Sequence, residues 1–539
     1  MEKKTFFTRQ VPLAIATGVL LFLASPGLGI PPVTAFFGLL PLLFALQEVQ
    51  NTGRALLLGL IAGMVWYMPL LHWITIVLGT YGYMPLSLTI LVLFLLAFYM
   101  SCYTALFTAI VFKWRRRTGG LLFFAPLLWV GLDYLRSFLF TGFPWQDLGY
   151  SQYKNTWLIQ VADLGGHHAV TWFLVLCNCL LFSLLHFVPG RRQADGSPLS
   201  RSKKRSCFIA VALLLAVAGY NSWRLPDMER KDADSKTVPV AVIQGNIEQD
   251  QKWLPSTKLS TVMAYLKLSA DALSQQPKSL LIWPETALPF SAEGHPYTNR
   301  IIIPFLKKHQ TQLLTGTPYH RYDNDSQRML LYNRALLLGT DVADAPHYDK
   351  QHLVPFGEYI PFRSLLPAVS PVVQTMMDFM PGLHQVPIAC RNIRIGVLIC
   401  FESIFPELAR QHAIKGAQLL VNMTNDAWFG KSLAPAQHFS MGVFRAVENR
   451  RSFARAANTG ISGFVDPAGR IMKVSPIFKA TYLTASLPIV NEQTFFMIAG
   501  WAFAPGCLAL AILLVAGRLG LPSLKESLDK RKHHEHRYR

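Results

Sequence analysis

Residues 396–403 read GVLICFES, an apolar, partly β-branched run that ends on Cys400 and turns acidic at Glu402. A short apolar run bounded by polar residues is the pattern of a buried strand, and here the run covers 393–399. A helical stretch follows from about residue 405, so Cys400 is expected at a strand-to-helix turn. A sulfur placed there opens onto a cleft and lies near helix-end amides that favour the thiolate. The competing reading is a cysteine that fills core space as a small hydrophobe.

The same grammar extends on both sides. Apolar runs at 238–244, 280–283, 312–316, 329–338, 393–399 and 419–422 alternate with helical stretches at 258–273, 405–415 and 436–449. Strands alternating with helices imply an α/β domain, a sheet covered by helices, over residues 225–494. The charged stretch 227–236 reads as a linker into it. No internal repeat or extended low-complexity segment stands out.

The remainder is greasy. The chain has 539 residues, 51% of them hydrophobic, and a mean hydropathy of +0.29, too apolar for a purely soluble protein. Eight apolar runs suit membrane helices: 11–24, 33–46, 55–78, 85–112, 121–140, 169–188, 208–223 and 495–516. The first follows Lys3, Lys4 and Arg9 as a signal peptide would. Pro26 stands where a small-residue cleavage site is wanted, and a second apolar run starts almost at once, so an uncleaved anchor is expected. The first two runs share the Pro/Gly-rich turn 25–32 and form a hairpin or a tilted pair. The expected organisation is a membrane domain at 1–224 with about seven helices, an extracytoplasmic α/β domain at 225–494, a last helix at 495–516 and a basic tail at 517–539.

The net charge of +20 suggests nucleic acid at first sight. The basic residues form no groove with interleaved aromatics. They gather beside apolar runs, at Lys3, Lys4 and Arg9, at Lys113 and Arg115 to Arg117, within 191–205 and within 525–539. An even helix count puts all four groups on one face. The positive-inside rule makes that face cytoplasmic, with both termini inside and the 225–494 block outside.

Seven cysteines include no Cys-x-x-Cys. Cys102, Cys177, Cys179, Cys207 and Cys507 fall in apolar runs, and only Cys390 and Cys400 lie in the polar block, where a disulfide is allowed but not favoured.

Two further strand ends finish on reactive groups. Glu285 follows the run 280–283 in WPETALP, where apolar neighbours raise a carboxyl toward the range of a general base; capping a following helix is the alternative. Lys350 and, eight residues on, Glu358 lie in the loop KQHLVPFGEYIP. Glu285, Lys350 and Cys400, each at or near a strand end of one domain, supply a base, a cation and a nucleophile.

That order resembles the nitrilase superfamily, whose Glu-Lys-Cys triad matches Glu285, Lys350 and Cys400. With helices before and one after, the chain closely resembles the bacterial apolipoprotein N-acyltransferase family. The matching stretches are TGFPWQDLGYSQ (141–152), QGNIEQDQKW (244–253), WPETALP (283–289), KQHLVPFGEYIP (350–361), CFES (400–403) and NMTNDAWFG (422–430). Phe401 departs from it, since members often carry tyrosine there, which puts in doubt a hydroxyl role but not the nucleophile.

The resemblance implies an α-β-β-α sandwich on a membrane bundle in the bacterial inner membrane. It implies transfer of a fatty acyl chain from a phospholipid, typically phosphatidylethanolamine, to the N-terminal amine of a lipoprotein's diacylglyceryl-cysteine. It further assigns Glu358 and Glu402 to orienting Lys350 and keeping it charged, with surface residues or helix caps as the alternative, and Trp145 and Trp253, with Phe401, to the acyl path, with interfacial belt residues as the alternative for the two tryptophans. No cofactor or metal is expected, and the chain is expected to act as a monomer. The tail histidines His533, His534 and His536 lack the spacing of a metal site.

Two other function classes compete. A tethered amidase using water leaves the anchor and TGFPWQDLGYSQ unexplained. A receptor or transporter with a vestigial triad sits poorly with three intact reactive groups and apolar segments almost free of charge, Asp133 and Arg136 reading as a local pair.

Overall fold

The computed structural model describes residues 6–114, 121–185, 201–325, 327–339, 345–361, 379–383 and 386–517. The basic residues Lys3, Lys4, Arg115 to Arg117, Arg191 and Arg192, the tail at 525–539 and its histidines lie outside the described residues.

Among the described residues, twelve strands form two six-stranded sheets. In chain order they are β1 (Thr237–Gln244), β2 (Leu280–Ile282), β3 (Leu313–Asp323), β4 (Arg328–Leu338), β5 (His347–Asp349), β6 (Ile388–Cys390), β7 (Ile393–Ile399), β8 (Leu419–Thr424), β9 (Ser452–Ala457), β10 (Gly463–Val465), β11 (Ile471–Val474) and β12 (Thr481–Pro488). The first sheet runs β12-β1-β2-β3-β4-β5 and the second β11-β10-β9-β8-β7-β6. Each has three parallel strands at its centre, β1 to β3 in one and β7 to β9 in the other, with antiparallel strands outside.

Alternation along the strands builds three layers of apolar contact. Val240, Val242, Ile282 and Leu314 of the first sheet meet Val397, Ile399, Val421 and Ala454 of the second. The opposite faces, through Ala241, Ile243, Leu281 and Leu313, take helix Lys258–Gln275 and helix Ile303–His309. On the far side, Leu398, Leu420 and Phe453 take helices Pro406–Ile414 and Ala434–Asn449. The result is an α-β-β-α sandwich.

That last helical layer packs into the apolar helices of the N-terminal part as one continuous core. Helix Ala434–Asn449 is therefore buried along almost its whole length, its polar residues included. Sheet covers one side and membrane helices the other.

Among the described residues, six helices are long and apolar enough to cross a membrane: Phe6–Leu23, Thr52–Leu70, Leu86–Trp114, His167–Leu185, Arg201–Asp234 and Gly500–Gly517. The expectation of about eight spans is thus met by six. The run at 33–46 lies in the shorter apolar segment Pro32–Glu48, which opens with a tight turn at Pro32. The run at 121–140 yields helix Leu121–Arg136, 16 residues, and breaks where Phe140 turns left-handed.

The linker expected at 227–236 is instead helical. Arg201–Asp234 is one helix that runs nearly to β1, because ion pairs of Arg224 and Lys231 with Asp227 and Glu492, and of Arg470 with Glu229, fix its polar end. A charged stretch reads as a linker only when its charges face water.

Candidate active site

Three loops converge beyond the carboxyl ends of the parallel strands, one on each of three strand ends. The loop after β2 carries Glu285. Its approach to β3 needs a glycine, since a Cβ at Gly316 would lie 2.3 Å from the Thr286 nitrogen. Glu285 Oε1 accepts from Asn333 Nδ2 at 2.8 Å and Oε2 from the Asn425 amide at 3.0 Å, so the carboxylate is held across from the first sheet to the loop after β8. The helix-cap alternative fails, because Glu285 caps no helix.

Lys350 follows β5 directly and is 1% exposed. Its ammonium lies 2.9 and 2.8 Å from the two oxygens of Glu358 and 3.5 Å from Glu285 Oε1. Burial alone would lower its pKa, but the carboxylates of Glu358 and Glu285, with Cys400, raise it above the ordinary lysine value. Lys350 is therefore a fixed cation. Glu358, expected to orient it, grips it with both oxygens and is itself held by Asn333 Nδ2 and the Val354 amide.

Cys400 ends β7 in a left-handed backbone, φ +52°. This strained conformation turns the chain sharply between strand and following turn. A single 3₁₀ turn, Cys400–Ile404, separates it from the helix that starts at Pro406. The expected lowering of the thiol does not occur: burial, then Glu285, push it above the ordinary thiol range, and the pull of Lys350 is too weak to reverse them. Burial and Glu285 therefore favour the thiol over the thiolate.

Glu402 works differently from the expectation. It does not touch the ammonium; Oε1 accepts from the Tyr348 hydroxyl and the Gln351 and His352 amides, at 2.9, 2.7 and 3.1 Å, and Oε2 from the Ile399 amide at 2.7 Å. One buried carboxyl thus ties the backbone after Lys350 to the backbone before Cys400. Burial pushes it up to about 7 against those amides.

The aromatic expectations divide. Phe401 is buried against Phe405 and Phe143, ring centroids 5.3 and 6.5 Å away. Trp253 is 49% exposed. Trp145 does not line an opening: it is fully buried among Trp73, Phe143 and Phe429, and its indole donates to Gln437 Oε1 at 2.8 Å. It is a post between the membrane part and helix Ala434–Asn449. Nearby, Asp147, His167 and His168 cluster, with Arg136 and His167 occupying the two oxygens of Asp147. Cys390 and Cys400 are both free thiols, so the disulfide left open by the sequence is not formed.

Sequence reading missed Lys252. It is 3% exposed, and its ammonium contacts the main-chain oxygen of Glu285 at 3.3 Å. Burial brings it down to about 8 despite the pull of Glu285. Nothing in QGNIEQDQKW distinguishes this lysine from a solvated one. Its folded pKa lies below the unfolded value, so the unfolded chain binds the extra proton between about 8 and 10.5, and stability rises with pH through that window. Lys252→Met is expected to be more stable than the parent at pH 7 by about 3 kcal/mol, with the gap closing by pH 10.5. Denaturation in detergent across that range measures it, and a gap independent of pH would count against the buried charge.

Two family models match: one described as Apolipoprotein N-acyltransferase N-terminal domain over residues 17–180, and one described as Carbon-nitrogen hydrolase over residues 239–494. A Geobacter metallireducens protein named apolipoprotein N-acyltransferase is 40% identical over 509 residues, covering 94% of this chain and 95% of that one. A Methylococcus capsulatus protein of the same name is 32% identical over 527 residues, with 94% and 95% covered. Among solved structures, a carbon-nitrogen hydrolase from Helicobacter pylori is 19% identical and covers 50% of this chain and 95% of its own, with a TM-score of 0.35.

Proposed function

The chain belongs to the apolipoprotein N-acyltransferase family, and from that premise we propose that it moves a fatty acyl chain from a phospholipid, typically phosphatidylethanolamine, to the N-terminal amine of a lipoprotein's diacylglyceryl-cysteine. The proposed catalytic residues are Glu285, Lys350 and Cys400. The proposed setting is the inner membrane, with 1–224 and 495–516 in the bilayer, 225–494 on the periplasmic side, and the termini, including the tail 517–539, in the cytoplasm.

One observation carries this reading: a cysteine at a strained strand end lies within electrostatic reach of a fixed carboxylate and a fixed ammonium, in a sandwich whose helical layer is continuous with an apolar bundle. An amine does not readily displace an alkoxide from an ester, and a thiol nucleophile divides the step in two. Glu285 takes the proton as the Cys400 sulfur attacks the ester carbonyl. The developing oxyanion is stabilised by Lys350 and a backbone N–H near Phe401. The carbon–oxygen bond breaks, the glycerol oxygen leaves with the proton from Glu285, and a thioester remains.

In the second half the lipoprotein amine attacks the thioester. Glu285 accepts a proton from nitrogen, the carbon–sulfur bond breaks, and the proton returns to sulfur as the amide leaves. The bilayer setting matters because drawing an acyl chain into water would cost about 0.8 kcal/mol per CH₂.

The test is to supply phosphatidylethanolamine without acceptor. The peptide containing Cys400 is expected to gain the mass of one acyl group, removable by hydroxylamine, and Cys400→Ala to gain none. An unmodified peptide in every trial would overturn the thioester. Release of free fatty acid at one rate with and without acceptor would instead make water the acceptor.

A further inference from the structure

The carbonyl of Cys400 is as well held as its side chain is reactive. Asn422 Nδ2 donates to it at 3.2 Å, Ser403 Oγ at 3.1 Å, and His438 Nε2 lies 3.1 Å away. His438 comes from helix Ala434–Asn449, is 1% exposed, and is absent from every motif the sequence singled out. With φ at +52°, Cys400 occupies a left-handed region that strains a non-glycine residue. Something must hold it there.

We propose that His438 is a positioning residue for the nucleophile, a neutral imidazole protonated on Nε2 that clamps the Cys400 carbonyl and keeps the sulfur aimed between Glu285 and Lys350. The inference rests on the reading of Cys400 as nucleophile. The tautomer is assigned from what Nε2 faces, since the Cys400 carbonyl at 3.1 Å can only accept; on the other side of the ring Nδ1 has both a donor, Arg455 Nη2 at 2.9 Å, and an acceptor, Asp426 Oδ1 at 3.2 Å. Arg455 is in turn anchored by Asp426, whose two oxygens lie 3.1 and 2.8 Å from Nη2, and by Asn422. Burial and the guanidinium both pull the imidazole below its ordinary value, in keeping with the neutral form.

His438 acts through Cys400, not on substrate. Its neighbour Gln437 receives the Trp145 indole N–H and donates to the Leu70 carbonyl, while Gln146 donates to the Gln437 carbonyl. The helix turn that presents His438 is therefore bolted to the membrane part on three bonds. Docking on the bundle and alignment of the sulfur are mechanically one event, which gives the buried Trp145 its use.

The readout is single-turnover acylation of Cys400 by a p-nitrophenyl ester of a short fatty acid, followed as p-nitrophenolate release with the full-length protein in detergent. The sulfur attacks the ester carbonyl, the phenolate oxygen leaves, and Glu285 receives the thiol proton. No phospholipid is needed, so failure of the lipid-donor reading and failure of this one are separable.

His438→Phe is expected to slow the acylation constant 10- to 100-fold with the half-saturating ester concentration unchanged. His438→Gln, whose amide nitrogen reaches the Nε2 position, is expected to stay within about threefold of the parent. His438→Asn, too short for that donor, should fall with Phe. If Phe fails to fold, the Gln and Asn pair decides. Parent-like acylation in Phe or Asn, equal slowing in Gln and Asn, or a loss confined to ester binding would each overturn the proposal.

Discussion

Replacing Glu285 by glutamine is expected to slow acylation of Cys400 by about 10²- to 10⁴-fold, the usual contribution of a positioned base. The variant should fold. The Asn425 amide fixes one side of the group as an acceptor, so the glutamine oxygen takes that place and its NH₂ turns toward Asn333, whose Oδ1 has no partner in the parent. Because burial and the neighbouring carboxylate hold the thiol above its ordinary range, few molecules carry a thiolate at neutral pH. Without Glu285, attack must wait for hydroxide. Acylation in Glu285→Gln should then climb about tenfold per pH unit as thiolate accumulates, a slope the parent does not share because it carries its own base. Rapid-quench mass analysis of Cys400 between pH 7 and 9 measures both effects. A parent rate in the variant at pH 7 would remove Glu285 from the proton path.

Lys350→Met should fail in two separable ways. The ammonium neutralises two buried carboxylates, and removing one partner of such a group costs about 3–5 kcal/mol because the others stay buried without it. Loss of a preorganised donor at the oxyanion removes a further 10²- to 10³-fold in rate. Pairing it with Glu358→Gln separates the two, since that relieves one stranded charge while leaving the oxyanion without its cation. The double variant is expected to recover much of the thermal stability and none of the acylation. Arginine at 350 should not restore activity, because its planar fork cannot take the place of a compact ammonium between Glu358 and Glu285. A single Lys350→Met variant that acylates normally would contradict the assignment.

How much of this could be read from the chain depended on the range of the forces involved. The strand at 393–399 was legible because five of its seven residues are buried and their apolar run is continuous. β9 was not, although all six of its residues are buried, because SFARAA has small and charged side chains and is a strand only by pairing with β8. The edge strands β5, β6 and β11 and the inner strand β10 are three or four residues long, too short to show a period. β12, at eight residues, is half-exposed over most of its length and is fixed by its pairing with β1. The linker at 227–236 was misread for a related reason: the partners of its charges, Glu492 and Arg470, lie far along the chain.

In the site, Glu285, Lys350 and Cys400 were legible because each closes or follows a strand and each is a reactive type. The backbone bonds of Glu402, the burial of Lys252 and the contact of His438 with the Cys400 carbonyl were not, since a carboxyl, a lysine and an imidazole look alike in sequence whether they face water or a buried backbone. Burial decides their work.

By itself, then, the sequence determined what periodicity and composition can specify: an α/β block among apolar helices, with a carboxylate, an ammonium and a thiol in a fixed order at strand ends. The tertiary structure alone decided that two sheets stack with those ends together, that burial favours the thiol form of Cys400, and that helix Ala434–Asn449 joins the apolar bundle to the Cys400 backbone. The physical reason is that hydrophobic patterning acts over a few residues, whereas desolvation and hydrogen bonding depend on which distant groups exclude the water.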